Sequence, residues 1–176
     1  MGFVKQIALA GGLSLLGLVG CSPTFNWREV RVGDAAVLAL MPCKPEQAER
    51  QVPLQGHMAT LHMASCDVAH STFVVSTLRV PDGVAPAEAA QAWKAATLSS
   101  LQAPASQARD WPLLARSGWP EMGWQADGVR HNGQPVRARV VAVGRGHTLH
   151  QLAVYGEPPP EALSAWLDGM RFAPAP

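Results

Sequence analysis

Charge is scarce in this chain of 176 residues: Asp, Glu, Lys and Arg make up 15% of it, against roughly 25% in an average soluble protein. Fourteen Lys and Arg stand beside thirteen Asp and Glu. Neither sign gathers into a block, so the basic footprint that nucleic-acid binding requires is missing and no nucleic-acid partner is expected. No apolar run reaches the roughly 18 residues of a membrane-spanning helix. Gly-x-Ser-x-Gly, His-Glu-x-x-His and a phosphate-cradling Gly loop are all absent; the sequence therefore nominates no catalytic residue, no metal ligand set and no cofactor. What the chain does have is apolar content. Hydrophobic residues account for 48%, enough for a packed core and too much for extended disorder, and the length suits one domain.

The N-terminus reads as an export signal. Lys5 supplies a basic start, Ile7 to Gly20 is a nearly unbroken apolar run of 14 residues with four Gly, and Cys21 follows directly. That run is too short to span a bilayer and has the proportions of an h-region. The tetrapeptide Leu18-Val19-Gly20-Cys21 resembles the lipobox of bacterial lipoproteins. The resemblance implies cleavage before Cys21 and lipidation of its thiol and new amine. The competing readings are an ordinary secretory signal that contains a Cys, or an N-terminal helix of a cytosolic domain. One acyl chain anchors only marginally, whereas the three chains that the resemblance implies would hold the protein on a membrane without crossing it. Ser22 stands where Asp tends to mark inner-membrane retention in the resembled family, which favours the outer membrane, with the domain facing the periplasm. The expected layout is a signal peptide over 1–20, a lipidated tether over 21–26 and a single domain over 27–173.

Two further cysteines, Cys43 and Cys66, would then lie in an oxidising envelope, where a disulfide is the natural pairing. The alternative is two buried thiols acting as small hydrophobes. Without a Cys-x-x-Cys spacing, a redox role is the poorer reading.

Periodicity and punctuation predict the order of elements. Trp27 to Val32 and Ala35 to Met41 flank the Gly33-Asp34 turn as a first hairpin; Pro42 and Pro45 end it. Short alternation over Glu49 to Leu54 and longer β-rich segments over His57 to Val68 and Ser71 to Val80 follow. Pro86 opens a helix over Ala87 to Leu101 with Ala89, Ala90, Trp93, Ala96, Thr97 and Leu101 on one face. Residues 105–118 show no clear period. Strands over Trp119 to Arg130, Pro135 to Val143 and Thr148 to Tyr155 are joined by His131-Asn132-Gly133-Gln134 and Gly144-Arg145-Gly146-His147. A closing helix spans Glu161 to Met170. Strands, helix, strands, helix is the order of an α+β domain: an antiparallel β-sheet of about six to seven strands packed against two helices. Two segments, Leu40-Met41-Pro42-Cys43-Lys44-Pro45 and Trp166-Leu167-Asp168-Gly169-Met170-Arg171-Phe172, resemble the Mog1/PsbP-like domains. That resemblance implies a sandwich acting as an assembly or interaction module, and not an enzyme. The resembled family often has Gly where Cys43 stands, so a bridge at that position departs from its pattern.

Three local clusters carry chemical interest. His57-Met58-Ala59-Thr60-Leu61-His62-Met63 combines thioethers with imidazoles, a donor set suited to Cu(I). On a regular strand an offset of five sends His57 and His62, and likewise Met58 and Met63, to opposite faces, and pairs of opposite parity lie roughly 13 to 20 Å apart. The expectation is Met in the core and His at the rim, with copper binding in the periplasm as the alternative function. His147 and His150 are expected at the surface or partly buried. Trp111, Trp119 and Trp124 are expected to be buried, the alternative being an exposed binding surface. Arg137 and Arg139 share a solvated face opposite Val136, Ala138 and Val140, with Arg145 a candidate extension of that patch. The expected partners are membrane lipid through Cys21 and an envelope protein that the sequence does not identify.

Overall fold

The computed structural model describes residues 24–34, 37–111 and 123–172. Cys21, the export signal, most of the tether and Trp119 lie outside the described residues. The element order is β1 (Arg28–Val32), β2 (Val37–Met41), β3 (Glu46–Leu54), β4 (His57–Val68), β5 (Ser71–Arg79), α1 (Pro86–Ser100), a 3-10 turn (Ala105–Gln107), β6 (Arg109–Asp110), β7 (Gly123–Val129), β8 (Pro135–Arg145), β9 (Thr148–Tyr155), α2 (Pro160–Asp168) and β10 (Arg171–Phe172). Seven strands form an antiparallel sheet in the order β3-β4-β5-β9-β8-β7-β6, and three form a smaller sheet, β1-β2-β10. The fold is α+β, with two α-helices among the described residues, as the order of elements predicts.

Both faces of the large sheet are covered, and alternation along each strand decides which side chain goes where. On β5, Phe73 and Val75 point into a core shared with Val32, Val37, Ala39 and Met41 of the small sheet and with Leu163, Trp166, Leu167 and Met170 at α2. Leu78 faces the other way, onto Ala89 and Ala90 of α1. Farther along α1, Leu98 and Leu101 cover Ala126, Val136, Ala138 and Val140. α1 starts with Pro at its first turn, where the missing N–H costs nothing, and continues in strong helix formers. Its buried set is Ala89, Ala90, Thr97 and Leu98. Trp93 is only half-buried and Ala96 is exposed, a rotation of the expected face toward Leu98. The Thr97 hydroxyl donates to the Trp93 carbonyl at 2.9 Å, and the Gln151 side-chain N–H donates back to Thr97 at 3.2 Å. A polar pair is thereby satisfied between helix and sheet, so burying it carries little penalty.

Several boundaries differ from expectation. β3 begins at Glu46, extending the short strand to nine residues, because pairing with β4 persists from Glu46↔Ser65 to Leu54↔His57. β8 runs on to Arg145, leaving a two-residue turn at Gly146-His147. Trp111 and Trp124 are both buried, as expected, but they belong to cores on opposite faces of the sheet and form no cluster.

Cys43 and Cys66 are joined by a disulfide, with Cα atoms 6.0 Å apart, well within the span a bridge needs. Cys43 follows β2 and Cys66 lies near the end of β4. The bridge therefore fastens the small sheet to the large one at the end from which the N-terminal segment emerges, where the Asn26 N–H donates to the Pro42 carbonyl at 2.9 Å.

His150 contradicts the expected placement at the surface or only partly buried: it is 1% exposed, with its ring 4.9 Å from that of Phe172. An even residue of β9, it shares the inner face with Leu152 and Val154, and parity alone does not tell a rim position from a covered one. Burial, assisted by the charge of Arg145, pushes its pKa down to about 4. The imidazole is thus neutral in the fold at pH 7, while the unfolded chain takes up a proton near pH 6.5. Stability present above pH 6.5 is lost as the pH falls toward 4. Between pH 7 and pH 5 the expected loss from this group is about 2 kcal/mol. Urea unfolding at the two pH values checks it: His150→Leu should flatten the difference, and a variant as acid-sensitive as the wild type would place the cause elsewhere.

Candidate binding notch

β9 leaves the sheet at Tyr155, between two hairpins that project beyond it. Tyr155 pairs with Thr72 of β5 on one side and with Ala138 of β8 on the other, so the β4–β5 turn and the β7–β8 turn form the walls of a notch at the sheet end. The notch has a volume of 870 Å³ and is lined by Asp67, Ser71, Thr72, Arg130, Arg137 and Glu157, among others.

The β4–β5 wall is made by an unusual turn. Ala69 and His70 have φ of 49° and 59°, the left-handed region that a tight hairpin demands and that Asn-Gly would occupy without strain. Neither residue advertises a turn. The next wall position is Ser71, 2% exposed, whose hydroxyl has no partner. Gly156 sits against it: a Cβ there would lie 2.9 Å from the Ser71 hydroxyl and 2.8 Å from the His70 carbonyl, and its φ is 118°. Only glycine permits this close approach.

Charges enter from both strand faces. Arg137 grips Asp127 with two N–H groups, at 2.7 and 3.4 Å, and reaches Glu157 at 3.0 Å. Arg139 donates to Glu157 at 2.6 Å and to the Gly156 carbonyl at 3.2 Å. The hydrogen bond from Arg137 holds the Asp127 carboxyl below its ordinary range, against a smaller opposing effect of desolvation. Of the solvated face expected for Arg137 and Arg139, Arg137 is exposed and Arg139 is half-buried, and both belong to an ion-pair network and not to an open basic patch. Arg145 does not extend it: its guanidinium lies 5.5 Å from the centre of the Phe172 ring, at the far end of β8. Asp127 and Glu157 are partners that sequence reasoning missed, since only the β7–β8 register, Asp127↔Arg137, brings the first of them into range.

Arg130 and Asp67 stand apart from that network. The Thr72 hydroxyl donates to Asp67 at 2.5 Å and accepts from Arg130 at 3.2 Å; Arg130 also donates to the Tyr155 carbonyl at 3.2 Å. A cation and an anion thus flank one hydroxyl, and among the described residues neither has a salt-bridge partner. Burial raises the Tyr155 phenol above its usual pKa, with the Arg130 charge opposing the shift.

The His-Met segment occupies the opposite end. β4 pairs without a bulge with β3 and β5, so His57, Met58, His62 and Met63 alternate between faces. The Nδ1 of His62 lies 3.4 Å from the Glu49 carboxylate. Met63 packs half-buried toward α1, but Met58 is 62% exposed, against the expectation of a core position: it lies beyond the edge of the small sheet, which covers the same face farther along. Among the described residues no three of His, Cys, Asp and Glu gather as a metal site, and no helix is long and apolar enough to cross a membrane.

No protein-family model matches the chain, and no curated protein matches it. Among solved structures it is similar to a point mutant of the protein Mog1, at 15% identity and a TM-score of 0.45, over 85% of this chain and 97% of that one. It is similar over the same shares to the Saccharomyces cerevisiae Ran-binding protein Mog1p, at 14% identity and a TM-score of 0.45. Likeness at this level assigns no activity to the chain.

Proposed function

We propose that the protein is a lipid-anchored component of a bacterial envelope whose domain works by binding rather than by turnover. The anchor is Cys21, and the domain is held close to an outer-membrane surface on its periplasmic side. The observation that carries the reading is the Cys43–Cys66 bridge. Disulfides of this structural kind persist in oxidising compartments and are rare in the cytosol, which supports export by the segment ending in Leu18-Val19-Gly20-Cys21. The tether is short: two residues separate Cys21 from Thr24, a reach of about 10 Å when extended. The binding notch and the start of the tether share one end of the sandwich, so on this reading the notch faces the membrane and the His62 end faces away from it. Contact with an envelope component is the resulting role.

Labelled palmitate fed to cells expressing the chain checks the anchor. The wild type should carry label and sediment with membranes, and Cys21→Ala should lose the label entirely. An unlabelled wild-type chain, or one with its first twenty residues still attached, would remove the anchor and the orientation with it.

A further inference from the structure

We propose that the notch binds a zwitterionic phosphoethanolamine headgroup, the polar part of an aminophospholipid. The inference rests on the anchored reading for the source of the ligand but not for the site.

The site follows from two groups of opposite charge, Arg130 and Asp67, that the fold leaves, among the described residues, without an ion-pair partner on either side of Thr72. Arg130 has only neutral acceptors, Thr72 and the Tyr155 carbonyl, so its remaining N–H groups can take an oxyanion. Asp67 accepts from Thr72 alone among the described side chains and can take a cation. Between them the Thr72 hydroxyl keeps the two charges separate instead of letting them collapse into an ion pair.

Charge selects the ligand. The other carboxylates of the notch, Asp127 and Glu157, are already engaged by Arg137 and Arg139. Counting Arg130 and Arg137 against Asp67, Asp127 and Glu157, the lining carries no positive excess. A plain phosphate would therefore meet Arg130 and be repelled by Asp67. A group with phosphate and a primary ammonium two carbons apart meets both, and its N–H bonds are donors that the Asp67 carboxylate can accept. A quaternary ammonium has no such donor. The lipid source follows from position: Cys66, one residue before Asp67, is bridged to Cys43 beside the tether, so the end of the domain that carries Asp67, Ser71 and Arg130 is the end that the anchor holds to the bilayer.

The full chain purified in a phosphate-free detergent is titrated with O-phosphoethanolamine, phosphocholine and inorganic phosphate, and binding is followed by calorimetry. O-phosphoethanolamine should bind about tenfold or more tightly than either of the others, a difference set by the charge-assisted bonds to Asp67. Asp67→Asn and Arg130→Gln should each weaken it by about tenfold. Equal affinity for the three probes, or equal affinity of the variants and the wild type, overturns the site. Amide hydrogen exchange of the lipidated chain in nanodiscs then tests the source. Phosphatidylethanolamine should protect residues 69–72 relative to phosphatidylcholine alone, and lack of that protection overturns the lipid assignment. Palmitate labelling of Cys21 is read independently, so loss of the anchor and loss of the site are told apart.

Discussion

Trp166→Ala should lower the stability of the domain by about 3–5 kcal/mol, the range for removing a fully buried aromatic from a packed core. Trp166 is 0% exposed and meets Phe73 edge-to-face at 5.2 Å between ring centres. Through this contact α2 is attached to the middle of the large sheet, and Val37, Ala39 and Met41 of the small sheet close around the same core. The cavity left by the truncation would border both sheets, whose strands cannot move inward without leaving their hydrogen-bonded partners, so the void can collapse only in part. Trp166→Phe discriminates between lost packing and lost polarity. The indole N–H has no partner, so replacing it by a phenyl ring keeps most of the contact and removes an unsatisfied donor. The Phe variant should therefore lose far less than the Ala variant in urea unfolding. Similar losses in both would mean that the N–H is bonded in solution and that ring packing is not the main contribution.

The importance of Trp166 is legible in the sequence, because Leu163, Trp166, Leu167 and Met170 recur at helical spacing and no other face of that segment is apolar. The same holds for the β7–β8 hairpin, where Gly133 has φ 80° and Asn132 bonds to the backbone N–H of Gln134 at 3.1 Å: the residue types are those that the geometry requires. The β4–β5 turn is the counterexample. Ala69 and His70 bear no turn chemistry, and their positive φ values are imposed by the pairing of two long strands on either side; such conflicts between local preference and global structure concentrate where function lies. The notch was invisible for a related reason. Its residues come from segments separated by some sixty to ninety positions in the chain, and only the ladder Asp67↔Thr72↔Tyr155↔Ala138 brings them to one edge. Parity correctly separates Arg137 and Arg139 from their apolar neighbours, but it is silent on the carboxylates across the strand that neutralise them. It is equally silent on His150, whose burial depends on β10 crossing over it.

Removing the Cys43–Cys66 bridge should cost about 3 kcal/mol on the chain-entropy account, given the 23-residue separation of its ends. The double variant Cys43→Ala with Cys66→Ala is the measurement of choice. It leaves neither partner of the bridge as a lone thiol, and Cys66, 6% exposed, is replaced by a residue small enough to stay in the core. Its urea midpoint should match that of the wild type kept in reductant; a variant as stable as the oxidised protein would show that the bridge is a passenger. The consequence extends to binding, because the bridge holds two sheets together one residue before Asp67. With the bridge gone, the β4–β5 turn is fixed by its ladder alone, and the separation of Asp67 from Arg130 around Thr72 becomes free to vary. Ligand binding then has to supply the ordering that the covalent link supplies in the oxidised chain. The reduced protein should accordingly bind O-phosphoethanolamine more weakly than the oxidised one even at temperatures where both are folded, so that the notch is complete only where thiols are oxidised.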